Sequence, residues 1–193
     1  MTALVVFDLD DTLIDTRNVL LPDSIRRTAA ALGVPPDALD GTGKRLDEVL
    51  RPLGPLPPER LRVAAAEWYS PAVPPLDPLP GARELLARLR GRVRLVLLTR
   101  GDPARQRNKL ARSGLAPLFD EVVIRPIESA GSKRDDLERL LAVHGVPPAR
   151  CAVVGDDPRD ELAHAEALGC HVVPIPETPL DRVEARLSGL GLL

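Results

Sequence analysis

The chain has 193 residues, of which 44% are hydrophobic and 28% charged, with a net charge of −2 and an isoelectric point near 6.0. That is apolar material for one packed core with a small appended unit. The near-neutral balance, with basic residues spread along the chain, argues against a nucleic-acid binder. An aromatic content of 2% argues against a platform for stacking bases.

The opening residues, MTALVVFDLD, have neither a basic leader nor a small-residue cleavage site, and the apolar runs are too short to span a bilayer. The expectation is a cytoplasmic protein with no membrane partner. Cys151 and Cys170 have no metal-ligand spacing and read as buried small hydrophobes.

The first predicted strand, Leu4–Phe7, runs into Asp8-Leu9-Asp10-Asp11. Acids this close repel one another, the more so when buried, so a cation is expected among them. Alternation puts Asp8 and Asp10 on one side and Leu9 on the other. From Leu13 to about Pro78 no strand pattern appears. Helical patterns occur at Asp23–Leu32, near Leu39–Leu50 and at Pro58–Tyr69, with the Pro-rich stretches RPLGPLPPE inside the segment and SPAVPPLDPLP at its end. Residues 16–78 therefore read as a helical insertion placed over the carboxyl end of the first strand, in the position of a lid. Within it, Gly41-Thr42-Gly43-Lys44-Arg45 lacks the glycine and hydroxyl spacing of a phosphate loop. Trp68 and Tyr69 read as packing residues, and Arg17, Arg26, Arg45 and Arg62 as solvated helix faces.

Beyond the insertion, helical patterns at Gly81–Leu89, Pro103–Ser113, Lys133–Val143, Asp160–Leu168 and Leu180–Leu187 alternate with short apolar runs. Those runs are Val93–Leu98, Glu121–Ile124, Cys151–Val154 and His171–Val173. Short β-branched runs between amphipathic helices predict an α/β fold, a Rossmann-like parallel sheet flanked by helices on both faces. The predicted division is a core of residues 1–15 and 79–193, and a small all-helical unit of residues 16–78.

Parallel strands present their carboxyl ends at one edge, so the residues just after each strand compose a candidate site. The later strands lead to Leu98-Thr99-Arg100-Gly101, to Gly131-Ser132-Lys133, and to Gly155-Asp156-Asp157-Pro158-Arg159-Asp160-Glu161. Carboxylates, a hydroxyl and an ammonium suit phosphate chemistry. Asp8 and Asp156 can hold Mg2+, a hard cation that prefers oxygen. Thr99 and Lys133 can bind phosphoryl oxygens, with Arg100 beside them. Lys133 stands in the first turn of a helix, where the macrodipole disfavours a cation. Only three of the 26 basic residues are lysine, which points to a specific role. Lys109, mid-helix, either faces solvent or supports the site. Asp102-Pro103 reads as a helix N-cap with a first-turn proline, and Asp157-Pro158 reads the same way, with Asp160 at the third helical position. His144, His164 and His171 are isolated and receive no role.

The set DLDDT, then LLTRG, then a lysine opening a helix, then VVGDD, resembles the haloacid dehalogenase-like hydrolase superfamily along the whole chain. The resemblance implies a Rossmann-like core with a helical cap after the first strand. It implies that Asp8 is the nucleophile and that Asp10 is general acid and base, with its backbone carbonyl on Mg2+. Thr99 and Lys133 would hold the phosphoryl group, and Asp156 would complete the metal site. An outer acid would come from Asp157, Asp160 or Glu161. Glu161 is favoured, although the family usually has aspartate there. The expected activity is that of a Mg2+-dependent phosphatase acting on a small phosphomonoester, in a monomer or homodimer. A phosphomutase, a dehalogenase and a non-catalytic binding module are the alternatives.

Overall fold

Five short apolar strands form one parallel sheet in the computed structural model, which describes residues 2–43 and 45–193. Lys44, weighed above against a phosphate loop, lies outside them. The strands are β1 (Leu4–Phe7), β2 (Arg94–Arg100), β3 (Glu121–Arg125), β4 (Cys151–Gly155) and β5 (His171–Pro174), in the order β3-β2-β1-β4-β5. β1 pairs with β2 on one side and β4 on the other, with Phe7 level with Leu97 and Val154. The chain winds outward from β1 in one direction and then in the other. The point where it reverses lies between β1 and β4, where a crevice opens at the strands' carboxyl ends.

Period-2 alternation splits the strand residues between two cores. Val5, Phe7, Leu95, Leu97, Ala152 and Val154 face α4 (Ala82–Leu89) and α8 (Leu180–Gly189), whose Leu85, Leu86, Leu89, Val183 and Leu187 complete that layer. Leu4, Val6, Val96, Leu98, Cys151 and Val153 face α6 (Lys133–His144) and α7 (Glu161–Ala167) through Leu137, Leu140, Leu141, Leu162 and Ala165. Burial on both faces explains why these strands are continuous apolar runs. Cys151 and Cys170 are free and packed in the second cluster, as small hydrophobes. Among the described residues, no helix is long and apolar enough to cross a membrane.

Between β1 and α4 the chain is helical: a π-helical stretch Thr16–Leu20, then α1 (Leu21–Leu32), α2 (Leu46–Leu50) and α3 (Pro58–Trp68). The helix expected near Leu39–Leu50 is present only in its last turn. Before it, the Asp40 side chain accepts from the Thr42 amide (2.8 Å) and hydroxyl (2.6 Å), a local turn that competes with helix formation. This segment has an apolar cluster of its own, built from Ile25, Ala29, Leu32, Leu39, Val49, Leu50, Ala64 and Trp68. Its entry and exit run side by side: the Leu79 amide donates to the Leu13 carbonyl (2.8 Å), and Ile14 bridges to Pro78.

Candidate active site

Because β1 and β4 are neighbours, the residues just beyond them meet. The Asp8 amide donates to the Val154 carbonyl (2.9 Å), which holds Asp8 beside the end of β4. One carboxylate oxygen each from Asp8, Asp156 and Glu161 lies within 4.8 Å of the others. Glu161 opens α7 and is buried. Its Oε1 accepts from the Asp157 amide (2.8 Å) and its Oε2 from Lys133 Nζ (2.8 Å). It reaches this place by passing over Gly155, where a Cβ would stand 2.4 Å from Oε1 and 2.7 Å from Cγ.

Lys133 enters from the other side. Ser132 and Asp135 form a capping box that starts α6, and the Ser132 amide donates to Asp135 Oδ2 (2.6 Å). The Lys133 ammonium is buried 2.9 Å from Asp8 Oδ1, 2.8 Å from Glu161 and 3.4 Å from Asp160. Burial works against its charge, but Asp8 and Glu161 outweigh that and hold it protonated, above the usual lysine range. Burial pushes Asp8 up to about 7; Lys133 opposes the rise, and Glu161 and Asp10 add to it. Asp157 does not cap α7. Its carboxylate accepts from the Arg159 amide (2.8 Å), and the helix begins only after Asp160. The proline dipeptide read as a helix start is a turn that delivers Glu161 inward.

Asp10 is held by a different group of residues. The Thr16 hydroxyl donates to its Oδ1, Lys109 Nζ lies 2.8 and 2.9 Å from its two oxygens, and Gln106 Nε2 donates to Oδ2 (3.0 Å). Burial alone would raise this carboxyl, but the Lys109 charge and the hydrogen bonds from Lys109, Thr16 and Gln106 hold it below the usual carboxylate range. Gln106 Nε2 also lies 2.6 Å from Thr99 Oγ1, tying the buried hydroxyl of β2 to Asp10. Asp102 caps α5 (Pro103–Ser113) by accepting from the Arg105 amide (2.8 Å). With that start fixed, Gln106 and Lys109, three residues apart, share the face over the sheet edge. The sequence left Lys109 between solvent and site, and the structure brings it to Asp10. Thr16 and Gln106 were not anticipated. The i, i+3 spacing of Gln106 and Lys109 just after Thr99 was the signal available.

The cavity at this edge has a volume of about 540 Å³. Asp8, Asp10, Thr99, Lys133 and Asp156 line it from the sheet side, and Thr16, Ser24, Arg45, Trp68 and Tyr69 from the helical segment. Arg100 is exposed at the rim and donates to the Ile127 carbonyl (3.1 Å). Of the insertion's four arginines singled out above, Arg17 and Arg45 also line the cavity. Arg26 pairs with Asp23 at the surface (3.0 Å), and Arg62 is exposed. Three converging carboxylates are hard oxygen donors of the kind Mg2+ takes, so the residues fit such an ion.

The family model for haloacid dehalogenase-like hydrolases matches residues 2–167. The chain belongs to that family, and it is accordingly a hydrolase. It is 35% identical over 140 residues to phosphoserine phosphatase of Thermus thermophilus, a match that spans 69% of this chain and 56% of that protein. It is 26% identical over 195 residues to glyceraldehyde 3-phosphate phosphatase of Pyrococcus abyssi, covering 90% of this chain and 81% of the relative. Among solved structures, a haloacid dehalogenase-superfamily hydrolase of subfamily IA from Geobacter sulfurreducens superposes with a TM-score of 0.70 at 24% identity, over 90% of this chain and 86% of that one. That last likeness is one of fold.

Proposed function

We propose that this protein is a Mg2+-dependent phosphatase that hydrolyses a small phosphomonoester through an aspartyl phosphate on Asp8. The observation that carries the reading is the convergence of the Asp8, Asp156 and Glu161 carboxylates at the carboxyl edge of the sheet, with the Lys133 ammonium paired to Asp8 and Glu161. The relatives' names support small phosphorylated metabolites as the substrate class.

Asp8, Asp156 and the Asp10 backbone carbonyl would hold Mg2+, with Glu161 as the favoured supporting acid. When bound, the ion would offset the phosphoryl group's negative charge and the repulsion among the acids. Lys133 fixes Asp8 Oδ1, so Oδ2 is the oxygen that attacks phosphorus. The bond from phosphorus to the leaving oxygen breaks, and that oxygen takes a proton through Asp10. Asp10 must draw that proton from solvent as the ester binds, because Lys109 and its hydrogen bonds keep Asp10 ionised in the free protein. Water then attacks the aspartyl phosphate and gives its proton to Asp10, releasing phosphate and restoring Asp8. Lys133 and the Thr99 hydroxyl donate to the phosphoryl oxygens as their charge redistributes. Residues 16–78 act as a cap that closes over the reacting group, and residues 1–15 and 79–193 form the core. The separate apolar cluster and the paired connections at Leu13–Leu79 support that division.

Release of phosphate from an aryl phosphate, with and without Mg2+, tests the reading. The wild type should release phosphate only with Mg2+, and Asp8→Asn should release none while still folding. Turnover in Asp8→Asn would overturn the assignment of the nucleophile.

A further inference from the structure

One buried cation in this cavity is used by none of these steps. Arg105 lies on α5, directly before Gln106, and is 9% exposed. Its Nη1 donates to the Ser70 carbonyl (2.7 Å) at the end of the helical segment, and its Nη2 to the Ser24 hydroxyl (2.7 Å) on α1. Both acceptors are neutral. Among the described residues no carboxylate stands within ion-pair distance of it, and the acids that act on it from further off have partners already. Asp10 is bound by Lys109, Asp23 by Arg26 and Arg27, and Asp102 by the Arg105 amide. Burial weighs most against the charged form, and the Arg27 guanidinium adds like charge. A guanidinium nonetheless stays protonated in proteins. Buried charges are ordinarily paired, because desolvation without a counter-ion is costly.

Two of the guanidinium's five N–H groups are spent on Ser24 and Ser70, which leaves three for a ligand. Arg105 lines the same cavity as Asp10, Ser24 and Trp68. Its acceptors Ser24 and Ser70 belong to the helical segment, so the guanidinium lies on the side of the cavity that this segment covers, across from the strand-end acids. That is where the part of a substrate beyond its phosphoryl group would extend. The missing counter-ion is therefore one that a substrate would carry in.

We infer that Arg105 selects the leaving group: the substrate is a short phosphomonoester with a second oxyanion, a carboxylate or a second phosphate, which the Arg105 guanidinium binds. This rests on the phosphatase reading for its phosphoryl half. A forked guanidinium suits either oxyanion, since both accept two parallel hydrogen bonds.

The test is calorimetric binding to the Asp8→Asn protein with Mg2+, using three esters of similar length. They are carboxymethyl phosphate, 2-hydroxyethyl phosphate and ethane-1,2-diyl bisphosphate. One anionic ester should bind roughly 10- to 100-fold more tightly than the hydroxyethyl ester, and whichever anionic ester is tighter identifies the oxyanion. Adding Arg105→Met should bring the three to within about threefold of one another. Arg105→Lys, which keeps the charge but loses the fork, should retain part of the preference. Ser24→Ala, which removes one tether to the helical segment but keeps the guanidinium, should retain the preference in full. Equal binding of all three esters, binding of none, or a preference that survives both Arg105→Met and Arg105→Lys unchanged, overturns the inference. Aryl phosphate hydrolysis judges the phosphatase reading separately. Turnover without preference defeats only the role of Arg105, whereas preference without any turnover defeats the phosphatase reading.

Discussion

Gly155→Ala offers a sharp test of how the acidic cluster is assembled. The new methyl group would stand 2.4 Å from Glu161 Oε1 and 2.9 Å from its Cδ, so the glutamate must leave its place. Gly155 is not among the residues with positive φ, so backbone strain adds nothing. The displaced carboxylate gives up its bonds from the Asp157 amide and from Lys133, each 2.8 Å. Hydrogen bonds to charged groups contribute about 1.5–3 kcal/mol each, and water restores part of that, so the net loss of stability should be about 2–3 kcal/mol. Supporting acids of this kind typically change metal affinity by about 10- to 100-fold, and the Mg2+ requirement should rise accordingly. Urea unfolding and a Mg2+ titration of phosphate release read the two effects. The control is the Glu161→Ala background, where the obstructing atoms are gone and Gly155→Ala should add almost nothing. A cost as large in that background as in the wild type would refute the argument, because the methyl group would then be acting on something other than Glu161.

Other substitutions probe the remaining parts of the site. Lys133→Met leaves Asp8 and Glu161 buried without their counter-ion and should destabilise the metal-free protein by about 3–5 kcal/mol, a loss that Mg2+ partly restores; calorimetric unfolding with and without the ion decides it. Lys109→Met frees Asp10 from the ammonium that bonds both its oxygens and should lower kcat by about 10²- to 10⁴-fold with little change in KM; an unchanged kcat would remove Lys109 from the site's workings. For pH, burial holds Asp8 near 7 in the folded metal-free protein, whereas an unfolded aspartate titrates near ~3.9. Between those values the native state binds the extra proton, so this group's contribution makes stability fall as pH rises from about 4 to about 7. Asp8→Asn should therefore raise the metal-free Tm above pH 7, with the gap closing towards pH 4, and parallel curves for the two proteins would contradict the shift.

The strand residues and the acids at their ends were legible because both depend on local pattern. Runs such as LVVF and CAVV are apolar at every position, as strands buried on both faces must be, and a parallel sheet sends all its carboxyl ends to one edge. Asp8, Asp10, Thr99, Lys133 and Asp156 could therefore be grouped from one dimension. The helix near Leu39–Leu50 was overestimated because hydrophobic spacing outweighed a turn formed by the Asp40 side chain. The Asp157-Pro158 dipeptide was read as a cap because its local chemistry is the same as that of Asp102-Pro103, and only the geometry of the turn separates the two.

Which side chains serve Asp10 was settled in three dimensions. Thr16 comes from the start of the insertion, and Gln106 and Lys109 come from a helix more than ninety residues away. No spacing rule joins such segments. Their meeting depends on where α5 packs against the sheet edge. The same holds for Arg105, whose sequence context, Pro-Ala-Arg-Gln, is that of any helix start. Its burial between Ser24, Ser70 and the cavity comes from the helical segment folding back over the sheet. Sequence alone determined the chemistry available at the strand ends, because backbone periodicity and strand direction are local properties. The tertiary fold decided the partners of each group, because those contacts are made between residues that only packing brings together.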